Sequence, residues 1–246
     1  TRAMRSLLVL LLAASACGDD APGSTVYFDL EGSIAESATF WNLPFPSDLR
    51  LAESGAPDMT GFPNPRNVPI LNALLTTVSD RRGWPVMPVA YVRFTAPVAE
   101  RSISDVFAPG NAEVALLDID PASPELGTEY PVVATTLAPD PYVTSDLVAL
   151  APRPGIVLRP GTLYAYVVRS AFAPGFSPAP AFAALAAGKT PSGSRGAAAA
   201  TLHAPLWPAL ESKGIDKTDV LVAVVFTTSD EVERTYKRSE AIRAAY

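Results

Sequence analysis

Twenty-five of the 246 residues are proline, about twice the usual share of ~5%, and they are spread from Pro22 to Pro208. Each lacks an amide donor and fixes φ, so none fits the middle of a long helix or of a central strand. Such a chain must fold from many short segments joined by turns, which excludes a helical bundle. Hydrophobic residues make up 48% of the chain, too many for disorder throughout. A chain of this size can bury one good core or two small ones. The net charge of −6 argues against nucleic acid, which selects basic surfaces. One cysteine and one histidine leave no material for a Cys/His zinc site or a disulfide framework.

The front of the chain reads as an address. Met4-Arg5-Ser6 is a short basic region, residues 7–12 are an unbroken apolar run, and Ala13, Ala14, Ser15 and Ala16 are small. Basic, apolar and small regions in that order make a secretory signal peptide. The run is far shorter than the ~20 apolar residues of a membrane-spanning helix. Thr1, Arg2 and Ala3 precede the methionine and read as upstream read-through. Cys17, the only cysteine, stands where the small residues end. The pattern resembles a bacterial lipobox, with Ala14 where that motif favours leucine. The resemblance implies removal of residues 1–16, lipidation of Cys17 and a protein held to a membrane by lipid. Gly18, rather than Asp, after the cysteine resembles an outer-membrane or cell-surface address. The alternative is an ordinary signal peptide cut nearby, leaving a free thiol.

Behind the anchor, residues 17–35 are expected to be a lipidated tether, most plainly the small, acidic, turn-forming stretch 18–25. Phe40-Trp41-Asn42-Leu43-Pro44-Phe45-Pro46-Ser47-Asp48-Leu49-Arg50 then reads as an extended segment with aromatic anchors. Pro69 opens an expected amphipathic helix along Ile70, Leu74 and Val78, with Leu71 and Leu75 beside them and Gly83 as its stop. From Pro88 the apolar period changes to two, with Ala90, Val92 and Phe94 on one face. Further strands are expected over 113–119, 132–137, 146–150 and 162–168, the last leaving a Pro160-Gly161 turn. Residues 220–226 form a continuous apolar run, expected to lie buried in the interior of a sheet. Helical pieces are expected at 180–187 and along Ala198, Leu202, Leu206 and Leu210, where Pro205 and Pro208 must kink or split the stripe. Thr228-Ser229-Asp230-Glu231 suggests a capping box for a polar helix over 231–246.

The fold expected is mainly β: a sandwich over 36–230 with helical insertions, followed at 231–246 by the start of a helix or linker. Val92-Arg93-Phe94-Thr95, Leu158-Arg159-Pro160-Gly161-Thr162-Leu163-Tyr164 and Val225-Phe226-Thr227-Thr228 resemble bacterial Ig-like domains of the surface-layer type. With Leu43-Pro44-Phe45-Pro46-Ser47-Asp48, the chain is more specifically similar to the N-terminal region of secreted bacterial lipoprotein lipases and esterases. That resemblance implies a non-catalytic domain preceding an α/β-hydrolase domain in the same chain, with the catalytic residues in the latter. The absence of a stop signal in the last helix fits such a continuation. A free-standing surface binding or adhesion module is the alternative.

The residues themselves offer little chemistry. Gly175-Phe176-Ser177-Pro178-Ala179 is the nearest approach to a nucleophile elbow, but Pro178 has no N–H for an oxyanion hole. Ser192 and Ser194 sit in a loop-like stretch, and His203 is the only imidazole base. Asp118, Asp120, Glu125 and Glu129 form an acidic run that hard cations favour, yet Ala122 and Ser123 stand where a calcium loop needs a ligand and a glycine. Trp41, Phe45, Phe62, Trp84 and Trp207 suit stacking on sugars or lipid, or else fill the core under irregular loops. No nucleotide-binding glycine motif is present, and no cofactor is expected.

Overall fold

The computed structural model describes residues 23–245; residues 1–16, expected to be a signal peptide, and Cys17 lie outside them. Eight strands form two antiparallel sheets of four. The first contains β1 (Ala90–Arg93), β2 (Val106–Phe107), β5 (Val132–Thr136) and β6 (Leu147–Pro152), in the order β1-β6-β5-β2. The second contains β3 (Val114–Asp118), β4 (Glu129–Tyr130), β7 (Leu163–Arg169) and β8 (Val220–Thr227), in the order β4-β3-β7-β8. Val92, Val148 and Leu150 of the first sheet, with Phe94 just beyond β1, share one buried core with Leu116, Tyr166 and Val224 of the second. The expected β-sandwich with helical pieces is the fold.

β7 is the spine of the second sheet: Tyr166 pairs with Leu116 on one side and with Val224 on the other. The turn that launches it has Gly161 at φ +62°, the conformation glycine tolerates best. β8 is buried from Val220 to Phe226, as a strand without a polar face must be. It stands at the margin of its sheet, however, and not in the interior. Loop backbone and helices close that margin in place of a ninth strand. The Trp84 N–H donates to the Thr227 carbonyl (2.8 Å), and a β-type bridge joins Trp84 to Thr228. Phe182 of α2 (Pro180–Ala186), Ala199 of α3 (Gly196–His203) and Leu206 and Leu210 of α4 (Leu206–Ser212) add to the same core. The stripe expected from Ala198 to Leu210 is thus split in two at Pro205.

Four further local expectations need correction. The segment 40–50 is not extended throughout, since Phe40–Asn42 and Asp48–Arg50 are 3-10 turns and only the proline-bounded stretch between them is extended. The folded body begins well before residue 36: Val26, Phe28 and Leu30 are buried, and Val26 bridges to Phe94. Helix α1 (Pro69–Val78) ends five residues before Gly83 and half-buries Leu71, Leu75 and Val78, while Ile70 and Leu74 are 71% and 58% exposed. Gly83 serves a close approach instead, since a Cβ there would sit 2.8 Å from the Thr227 carbonyl oxygen. Helix α5 (Glu231–Ala245) is capped by Asp230, whose Oδ1 accepts from the Glu233 N–H (2.9 Å). Thr228 is buried and its hydroxyl donates to the Arg159 carbonyl (2.6 Å), which closes the Pro160-Gly161 turn.

The least expected core residue is Arg50, 1% exposed. Its guanidinium donates to the carbonyls of Ile34 (3.3 Å), Phe40 and Leu43 (3.5 Å) and lies over the Phe40 ring. Burial, helped by the Arg195 charge and opposed by Asp58, pulls its pKa down to about 10, so it stays cationic at neutral pH. Arg50→Met leaves those carbonyls without their donor and is expected to lower unfolding stability by about 3 kcal/mol. Urea denaturation measures this; an unchanged midpoint would show that the buried cation is dispensable.

Candidate functional site

The residues considered for catalysis do not assemble. Ser177 is exposed, and its backbone is engaged with the N-terminal segment through its N–H to the Ser24 carbonyl (2.9 Å). Ser192 is exposed, and Ser194 points its hydroxyl at the Leu30 carbonyl (3.4 Å). His203 is buried between Phe28 and Phe182, and its Nδ1–H donates to the Ala199 carbonyl (2.9 Å). Its Nε2 is buried with no full hydrogen bond. Burial pushes the His203 pKa below its ordinary 6.5, outweighing the Ala199 and Ala223 backbone groups that favour the proton. Among the described residues no serine hydroxyl bonds to this ring.

The acidic run is spent on its own loop. Asp118 is buried and accepts from the Asp120 N–H (3.0 Å) and the Ser123 hydroxyl. Asp120 accepts from the N–H groups of Ala122 (2.9 Å) and Leu163 (3.3 Å). Glu125 pairs with Arg159 (2.7 Å) and accepts from the Tyr130 hydroxyl, and Glu129 accepts from the Gly110 N–H. Among the described residues no group of three or more His, Cys, Asp or Glu is placed to hold a metal ion. Nor is any described helix long and apolar enough to cross a membrane.

The aromatics do converge. Trp41 comes from a single 3-10 turn, Phe45 from between Pro44 and Pro46, Phe62 from a second proline-rich loop, and Trp84 from the segment that closes β8. Edge-to-face contacts join Phe45 to Trp84 (5.0 Å between ring centres) and Trp41 to Phe62 (5.9 Å). Tyr91 completes the group 5.0 Å from Trp41. Its outward place on β1, opposite in phase to Ala90 and Val92, concealed its role in the sequence. Trp207 is elsewhere, packed on Phe182.

These rings line a cavity of about 340 Å³ that is otherwise bounded by prolines, Met59, Met87, Val78 and Arg81. Arg81 is its only charged lining residue, is half-buried, and forms no ion pair among the described residues. Burial raises the pKa of the Tyr91 phenol, which therefore stays protonated and able to donate. The walls are held from behind. The Trp84 indole N–H donates to Asp48 Oδ1 (3.0 Å), and Phe45 exchanges both backbone hydrogen bonds with Tyr91. A larger cleft of about 560 Å³ beside Trp207 is lined with mixed charges, including Glu211, Asp216 and Lys217. An apolar concavity with few polar groups is the usual form of a small-molecule site. Comparison with known proteins finds no matching family model, curated protein or solved structure.

One pH dependence follows from His203. Below pH 6.5 the unfolded chain takes up a proton that the buried ring resists. Stability should therefore rise with pH from the folded pKa up to 6.5, and His203 should add no slope above that. Urea midpoints measured from about pH 5.5 to about pH 7.5 are expected to vary less in His203→Leu than in the wild type. Equal slopes in the two proteins would show that the ring takes up its proton as readily folded as unfolded.

Proposed function

We propose that the protein is a lipid-anchored extracytoplasmic binding domain without catalytic residues of its own, and that the aromatic cavity is its working site. Four of the five aromatics that suit ligand stacking meet around this one cavity, and that observation carries the reading. The residues that hydrolytic chemistry needs are exposed on loops or sealed in the core. Export and lipidation at Cys17 are supported by the order of basic, apolar and small residues ahead of that cysteine.

In its fuller form the domain is the N-terminal, accessory part of a secreted lipase- or esterase-type hydrolase, with an α/β-hydrolase domain further along the same chain. Support for this form is the resemblance at residues 43–48 and 158–164 and the β-sandwich built around them. A free-standing surface module of Ig-like type is the second reading. It is favoured by a cavity whose walls all come from residues 41–91 and need no other domain.

Titration with the uncharged fluorophore N-phenyl-1-naphthylamine tests the working site. Saturable enhancement is expected, and it should be lost in Met87→Glu, a change at a rim side chain that is 61% exposed and so spares the fold. Enhancement that never saturates, or that survives Met87→Glu, would contradict the assignment. Labelling with an alkynyl fatty acid is expected for the wild type and absent for Cys17→Ala, which should leave the membrane fraction. Equal membrane recovery of both proteins would refute the anchor.

A further inference from the structure

The cavity has one feature that a plain hydrophobic slot lacks. Arg81, three residues beyond α1, is the one charged residue of the lining, and no carboxylate of the described residues neutralises it. The side chains of the other half-buried arginines all have partners: Arg93 donates to Asn42 Oδ1 and Arg195 to the Gly32 carbonyl, while Arg101, Arg169 and Arg234 pair with Glu113, Asp219 and Glu231. In a chain carrying six more acidic than basic side chains, a half-buried arginine beside an apolar cavity with neither an ion pair nor a side-chain hydrogen bond among the described residues stands out. Guanidinium groups bind carboxylates through two parallel N–H donors, with geometry that an ammonium lacks. The protonated Tyr91 phenol supplies a further donor in the same lining.

Size and texture describe the rest of the ligand. At about 340 Å³ the cavity lies near the small end of the ~300–1,000 Å³ range of ligand sites, so it suits one chain and not a diacyl lipid. Two of the three methionines in the chain, Met59 and Met87, line it. Methionine is unbranched and adaptable, and suits a flexible aliphatic partner. The rings of the floor pack against one another, Trp41 on Phe62 and Phe45 on Trp84 edge to face and Trp41 on Tyr91 tilted.

We propose that the cavity binds a single medium-chain fatty carboxylate, its tail among Trp41, Trp84 and the two methionines and its carboxylate on Arg81. The inference rests on the binding-domain reading, and the test separates the two. Decanoate and 1-decanol, which share a chain length and differ in the headgroup, compete against the uncharged fluorophore. Decanoate is expected to displace it at roughly 10-fold lower concentration than decanol, the scale of one charge-assisted contact. Arg81→Gln should abolish that preference and leave displacement by decanol unchanged, and added salt should weaken decanoate alone. Equal potency of the two ligands, or a preference that survives Arg81→Gln, overturns the carboxylate and leaves the cavity as a binding site. Absence of any fluorophore binding overturns the binding-domain reading itself. Cosedimentation with phosphatidylglycerol vesicles, without displacement by monomeric decanoate, would assign the affinity to a membrane surface and overturn the proposal.

Discussion

Asp48 and Arg50 occupy one short turn and carry opposite charges, the first half-buried and the second buried, without pairing with each other. Asp48 accepts from the Thr227 N–H (2.9 Å), the Thr227 hydroxyl (2.6 Å) and the Trp84 indole (3.0 Å). Arg50 donates to three carbonyls between Ile34 and Leu43. Burial raises the Asp48 pKa despite its three donors, so ionising it inside the fold is costly, and the donors must stay in place. The Ser47 side chain, accepting from the Leu49 N–H, helps to shape the turn. One turn thereby fastens the irregular N-terminal segment to the last strand of the sandwich. It also sets the position of Trp84, and with it one wall of the cavity.

Proline explains why there is a cavity to wall. Phe45 can pair with Tyr91 through both its backbone groups, but Pro44 and Pro46 have no N–H with which to extend the ladder. The contact therefore stays a single bridge, and the segment leaves the sheet on either side of it. Loops rich in proline pack through side chains and not through a regular lattice of hydrogen bonds. Where two of them meet β1 and the start of the 84–89 segment, rings touch at their edges and leave space between. The lone buried indole N–H of Trp41, which finds no oxygen partner, belongs to the same crowded junction of rings.

Much of the sandwich was legible because its signals are local. Alternation marked β1, the Pro160-Gly161 pair marked the entry to β7, and an apolar run with no polar face marked β8 as buried. What stayed hidden depends on distant partners or on near-ties. In α1 two apolar stripes lie one residue apart, Ile70-Leu74 and Leu71-Leu75, and periodicity does not choose between them. Val26, Phe28 and Leu30 alternate over only five residues beside a tether-like stretch, too short a pattern to outweigh composition. Thr227, which donates twice to Asp48, lies 179 residues away on β8, and no spacing rule reaches that far. Aromatic chemistry was legible as a residue type, but its gathering was not. Nothing local separates Trp207, which packs on Phe182, from Trp41 and Trp84, which share a cavity.

That separation of the tryptophans provides the most direct test of the cavity as a ligand site. The chain has three indole N–H groups, of which two belong to cavity residues and the third, on Trp207, does not. Titration of the nitrogen-15-labelled protein with decanoate, followed by two-dimensional NMR, reads all three at once. The account predicts that the indole signals of Trp41 and Trp84 move together and saturably while that of Trp207 stays in place. Movement of Trp207 alone, or equal movement of all three, would place the ligand elsewhere and contradict it.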